Sequence, residues 1–134
     1  MLYEPHFEIS IETHFSAAHH LRGYLGDCAK PHGHNWIVEV YVMCDKLNDI
    51  GIGIDFRDMK SAVQTVIGKL DHINLNELAP FINENPSSEV IARHLYQELK
   101  SILSAPGIHL SRVKVAETPT CSVCYSGNFT KPRQ

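Results

Sequence analysis

Two stretches of alternation limit what this chain can fold into. In residues 7–15, Phe7, Ile9, Ile11, Thr13 and Phe15 alternate with Glu8, Ser10, Glu12 and His14, the pattern of a strand with one polar face. Residues 34–44 read HNWIVEVYVMC, rich in β-branched and aromatic side chains, and predict a second strand. The stretch between them, residues 16–31, holds Gly23, Gly26, Asp27 and Pro31 and reads as a loop.

The period then changes. After a turn around Leu47–Gly53, residues Met59, Ala62, Val63, Val66, Ile67 and Leu70 form a helical stripe. Residues 71–86 are polar, interrupted by Pro80 and Pro86, and read mostly as loop. Ser87 is placed to cap a second helix, with Glu89 in its first turn where a carboxylate suits the helix dipole. Ile91, Leu95, Leu99 and Ile102 or Leu103 are its apolar stripe, and Pro106-Gly107 stops it. His109–Glu117 predicts a third strand and Val123–Phe129 a shorter fourth. The order ββααββ, with strands and helices in separate runs, predicts an α+β fold with an antiparallel sheet. Two helices can cover one sheet face, and the open strand edges then invite pairing with other copies.

Composition narrows the function classes. With 134 residues, 43% of them hydrophobic and 20% charged, the chain has room for one core and is expected to be one domain over 1–134. A net charge of −3 makes a nucleic-acid surface a poor expectation. No apolar run reaches the roughly 18 residues of a membrane span, and no basic-then-apolar leader opens the sequence. A soluble, cytoplasmic protein with no membrane partner is expected. The four cysteines are then expected to be reduced thiols, and nine histidines make metal or acid–base chemistry worth seeking.

The motif PHGHNW, residues 31–36, carries the strongest chemical signal. His32 and His34 lie two apart on a strand and share a face. Gly33 between them leaves the opposite face bare and permits close approach to the backbone. A catalytic zinc site uses three protein ligands and an open position, and His19 is the best candidate for the third. It lies just past the end of the first strand, among Ser16, Ala17 and Ala18, which permit close packing. The bland alternative is three surface or hydrogen-bonded histidines. Cys28 is either a fourth ligand closing a structural Cys-His₃ site, or a base or nucleophile beside an open one.

Other residues carry weaker signals. Asp71-His72 follows the first helix, and by itself reads best as a helix end with a histidine near the C-terminal dipole. The alternative is an imidazole oriented by Asp71 for proton transfer. Glu117 shares the parity of core-facing Val113 and Val115, so either a ligand with paired N–H donors meets it or it is a strand-end charge reaching solvent. Cys121-Ser-Val-Cys124 lacks the second pair of a zinc ribbon and reads as structural, Cys44 as a packed small hydrophobe, and His94 as exposed on its helix.

Seven ordered motifs resemble one family. They are Phe15-Ser-Ala-Ala-His19-His-Leu21, Cys28-x₃-His32-Gly-His34-Asn-Trp36, Ile54-Asp55-Phe56, Leu70-Asp71-His72, Leu75-Asn76, Asn85-Pro-Ser-Ser-Glu89 and Val115-Ala-Glu117-Thr118. Together they resemble the 6-pyruvoyl-tetrahydropterin synthase superfamily from about residue 7 to Gly127. The short spacing from Cys28 to His32 is similar to its 6-carboxy-5,6,7,8-tetrahydropterin synthase branch. The resemblance implies a tunnelling fold (T-fold), with trimers closing their sheets into a barrel and two trimers stacking as a homohexamer. It implies Zn²⁺ on His19, His32 and His34, with Cys28 off the metal as catalytic base. It implies a relay through Asp71 and His72, contributed by a neighbouring subunit, and pterin contacts from Glu117, Ser87, Ser88 and Glu89. The implied substrate is 7,8-dihydroneopterin triphosphate. The implied products are 6-carboxytetrahydropterin, acetaldehyde and triphosphate, on the way to queuosine and other deazapurines. The runner-up is the pyruvoyl-forming reaction on the same substrate, and a third reading is a non-catalytic module with structural zinc.

Overall fold

The computed structural model of the chain describes residues 6–127. Seven elements build the fold: β1 (Phe7–His19), β2 (His32–Cys44), α1 (Phe56–Ile67), β3 (Ile73–Asn74), α2 (Ser88–Ile102), β4 (Ile108–Thr118) and β5 (Cys121–Tyr125). They form one sheet in the order β3-β1-β2-β4-β5. The β1–β2, β2–β4 and β4–β5 pairs are antiparallel, and β1–β3 is parallel. The α+β class holds. No helix among the described residues is long and apolar enough to cross a membrane.

Alternation sorts the sheet into two faces. Phe15 lies opposite Trp36, and Val38 opposite Val115, so their side chains share a face. That face is sealed by Met59, Val63 and Ile67 of α1 and by Ile91, Leu95 and Leu99 of α2, in one buried cluster. Each such side chain contributes about 1.5–3 kcal/mol by leaving water. The other face is polar. There Arg112 pairs with Glu8 at 2.9 Å and stacks over the Tyr41 ring at 3.9 Å, while Tyr41 hydrogen-bonds Glu39.

A side chain caps the start of each helix, at Ser87 as expected from the sequence. Asp55 accepts from the Arg57 amide at 2.8 Å, and Ser87 from the Val90 amide at 3.2 Å. The α1 stripe overshoots the helix: Leu70 is buried in the turn that follows Ile67.

Several expectations are corrected. The first strand runs on through Ser16-Ala-Ala-His19, because its ladder with β2 continues to the His19–His32 pair. The long elements follow ββααββ, but β3 adds a two-residue strand paired with Ala17 and Ala18, so the sheet is mixed rather than wholly antiparallel. The rest of the polar stretch contains two 3₁₀ turns that bury Leu75, Asn76 and Phe81. The last strand begins at Cys121, and the predicted end at Phe129 lies outside the described residues. His94 is not exposed: its side chain is 19% accessible, with its ring 5.4 Å from that of Phe81.

Candidate metal centre and active site

Strand pairing assembles the histidines. His19 lies opposite His32, and Ala17 opposite His34, on the face that also carries Phe15 and Trp36. The three imidazoles therefore sit at one end of the core, with ring centroids 4.5, 4.9 and 5.4 Å apart. Trp36 borders them, its ring 4.8 Å from His19 and 5.3 Å from His34. Nothing lies within 4 Å of the place a Cβ on Gly33 would take, so the close approach expected there is absent among the described residues.

Hydrogen bonds select the nitrogens that face inward. His19 Nδ1 donates to the Pro86 carbonyl at 2.7 Å, and His32 Nδ1 to the Lys30 carbonyl at 2.7 Å. Each neutral ring then keeps a lone pair on Nε2, which is how backbone carbonyls orient metal-ligating histidines. Burial pushes the His19 imidazole below its ordinary range, favouring the neutral form that ligation needs. His34 Nε2 is buried and has no aligned hydrogen-bond partner among the described residues.

Glu117 joins this group from β4. Its Oε1 lies 3.1 Å from His19 Nε2 and 3.0 Å from His34 Nε2. Donor atoms of His19, His32, His34 and Glu117 all fall within 4.8 Å of one another. Zinc bonds of about 2.0–2.1 Å around a tetrahedron require ligand separations of this order. The donor set and the orphaned His34 nitrogen both fit a bound metal ion.

Cys28 stands apart. It is a free, half-buried thiol in the 3₁₀ turn Asp27–Ala29, outside the four-residue metal group. Its carbonyl accepts from the Leu21 amide at 2.8 Å, which ties the turn to the end of β1.

Asp71 and His72 form an oriented pair. His72 Nδ1 lies 2.9 Å from Asp71 Oδ1, the same oxygen that accepts from the Ser16 amide at 2.9 Å. The His72 amide donates back to the Ser16 carbonyl at 2.6 Å, and His72 adopts a left-handed φ of 58°. A non-glycine residue there costs of order 1 kcal/mol or more, and the two Ser16 bonds hold it. The Ser16 amide, then His72, keeps the Asp71 carboxyl below its ordinary range. The imidazole is 81% exposed and lines, with His34, Gly33 and Asn74, an open pocket of about 410 Å³.

Ser87 Oγ is engaged as the cap of α2, and Ser88 and Glu89 open that helix. The segment reaches the histidines through the Pro86 carbonyl. Sequence reasoning missed two further supports. Asn76 grips the backbone of His20, accepting from its amide at 2.9 Å and donating to its carbonyl at 3.0 Å. The Asn85 side chain accepts from the Arg22 amide at 2.9 Å and donates to the Arg22 carbonyl at 2.9 Å. Their signal was present, since both asparagines stand inside the family motifs.

Comparison with known proteins identifies the family. The family described as 6-pyruvoyl tetrahydropterin synthase matches residues 8–128. The chain belongs to that family of enzymes. An Archaeoglobus fulgidus protein is 40% identical over 114 residues, covering 85% of this chain and 90% of the relative. The 6-carboxy-5,6,7,8-tetrahydropterin synthase of Bacillus subtilis is 32% identical over 126 residues, covering 89% and 84%. The solved 6-pyruvoyl tetrahydropterin synthase of Caenorhabditis elegans superposes with a TM-score of 0.82 at 28% identity, covering 96% of this chain and 100% of that one. The T-fold is therefore that of this chain.

Proposed function

We propose that the chain is a zinc-dependent 6-carboxy-5,6,7,8-tetrahydropterin synthase. It converts 7,8-dihydroneopterin triphosphate to 6-carboxytetrahydropterin, acetaldehyde and triphosphate, supplying queuosine and related deazapurine synthesis. The observation that carries this reading is the convergence of three histidine nitrogens beside Glu117 with the Cys28 thiol left out of the group. A structural Cys-His₃ centre would place that sulfur among the ligands.

His19, His32 and His34 would hold Zn²⁺, the ion favoured by this donor set, although imidazole also suits other first-row metals. Bound there, the metal supplies Lewis acidity that makes the two hydroxyls of the substrate side chain more acidic. Glu117 accepts from the paired N–H donors of the amino-pyrimidine edge, which orients the ring. Cys28, as thiolate, takes a proton near the ring. His72, held by Asp71, moves protons to and from the side chain. Ser88 and Glu89 lie at the pterin-contacting segment, while Ser87 contributes its cap. The working particle is a cytoplasmic homohexamer in which Asp71 and His72 reach the site of a neighbour, with neither nucleic acid nor membrane as a partner.

The second reading is the pyruvoyl-forming reaction, which eliminates triphosphate without carbon–carbon cleavage. The fold match to the Caenorhabditis elegans enzyme favours it, and the shared machinery accommodates it. The short Cys28-to-His32 spacing and the name of the Bacillus subtilis relative favour the carboxy product.

The assigned roles predict separable defects. Cys28→Ala should keep one zinc per chain yet lose at least about 100-fold in turnover, the lower range for removing a positioned proton-transfer group. His34→Ala should lose metal and turnover together. Zinc loss from Cys28→Ala would instead place the thiol on the metal and return the structural-site reading.

A further inference from the structure

Glu117 sets one carboxylate oxygen between two of the imidazoles. His19 donates from Nδ1 to the Pro86 carbonyl at 2.7 Å, so its neutral ring presents a lone pair at Nε2. Glu117 Oε1 lies 3.1 Å from that nitrogen, within hydrogen-bond reach. The same oxygen lies 3.0 Å from His34 Nε2, which is buried without an aligned hydrogen bond among the described residues. One oxygen this close to two ring nitrogens needs positive charge beside it, and a metal ion held by the same donor group supplies it. Four ligands about 2.0–2.1 Å from a tetrahedral zinc stand roughly 3.3 Å from one another, close to these contacts.

The position of Glu117 in its strand also permits movement. The register between β4 and β5 shifts between Ala116 and Thr118, a bulge that falls on Glu117. Bulges near sites re-aim a side chain. The carboxylate is 31% exposed, so its second oxygen has a path toward solvent and an incoming ligand.

We propose that Glu117 closes the fourth position of the metal in the pterin-free protein and leaves it when a pterin arrives. One carboxylate then serves in turn as metal ligand and as pterin anchor. This inference rests on the zinc and pterin assignments made under the proposed function. Its consequence is competition: a pterin without a hydroxylated side chain weakens the hold on the metal, and the metal weakens binding of that pterin by the same factor. The device keeps the open position shut until substrate is present.

The test is chelator competition for Zn²⁺ in the wild-type protein, E117Q and E117A, with and without unsubstituted 7,8-dihydropterin. That pterin has no side-chain hydroxyls with which to reach the metal. E117A should bind zinc about tenfold or more weakly than wild type, and E117Q, which keeps the shape, should fall between. Dihydropterin should weaken zinc binding by wild type to a similar degree and leave E117A unmoved. Circular dichroism of the metal-free proteins checks that the variants fold. Equal zinc affinity in wild type and E117A overturns the exchange and leaves the synthase reading standing. So does wild-type zinc affinity that bound dihydropterin does not change. Failure of the wild-type protein to take up zinc at all overturns both.

Discussion

His94 carries a pH dependence that is separate from the proposed chemistry. Burial lowers its imidazole from 6.5, against the weaker opposing pull of Glu98. The unfolded chain therefore takes up the proton first as pH falls. Stability is full above the unfolded value and is lost as pH drops through 6.5 toward the folded one. His19 adds a term of the same sign in the metal-free protein. Urea unfolding of metal-free protein should show a fall in stability from about pH 7.5 to about pH 5.5, and a smaller fall in His94→Gln. An equal fall in both contradicts the assignment. His94 was misread from sequence because its burial depends on Phe81, which reaches it from a 3₁₀ turn with no helical or strand period to announce it. His32 and His34 were legible because their pairing needs only the two-residue period of one strand. The nearness of Glu117 to those histidines was not, since it depends on the register of β4 against β2, a relation between residues far apart in sequence.

At the scale of elements, the long periodic segments were readable and the short ones were not. The cap of α2 was recognisable from residue type. Ser87→Ala should destabilise the protein by about 1 kcal/mol through loss of its bond to the Val90 amide. Denaturant unfolding measures this; a variant as stable as wild type contradicts the cap. β3 escaped notice because two residues carry no period, and its existence depends on Ala17 and Ala18 extending β1. The turn before α1 makes its own demand. A Cβ on Gly53 would lie 2.2 Å from Cys44 Sγ and 3.1 Å from Ile9 Cδ1. Cys44 is buried at the end of β2, so the sulfur has little room to yield. Gly53→Ala should cost about 1–3 kcal/mol, as overpacking does, again read by denaturant unfolding. An unchanged midpoint would contradict the close approach.

At the scale of the molecule, the sheet formed by the described residues has two open sides. β1 pairs with β3 only at Ala17 and Ala18, and β5 ends the sheet at its other side. Phe7, Ile52 and Phe56 are exposed at the end of β1 remote from the histidines, alongside a cavity of about 340 Å³. Open edges and exposed apolar side chains both favour association between copies. Sedimentation of the purified protein should show a particle of six chains, and a monomer at micromolar concentration contradicts the barrel. The tunnelling fold was legible from the order of its motifs. The number of copies rests on the family resemblance, because one chain displays edges and not their partners.

The product separates the two reactions of the family. Zinc-loaded protein given 7,8-dihydroneopterin triphosphate, with the products resolved by mass spectrometry, tests the proposed function most directly. The expected products are 6-carboxytetrahydropterin and acetaldehyde in equal amounts. A pyruvoyl pterin without acetaldehyde would contradict it and move the chain to the other reaction of its family.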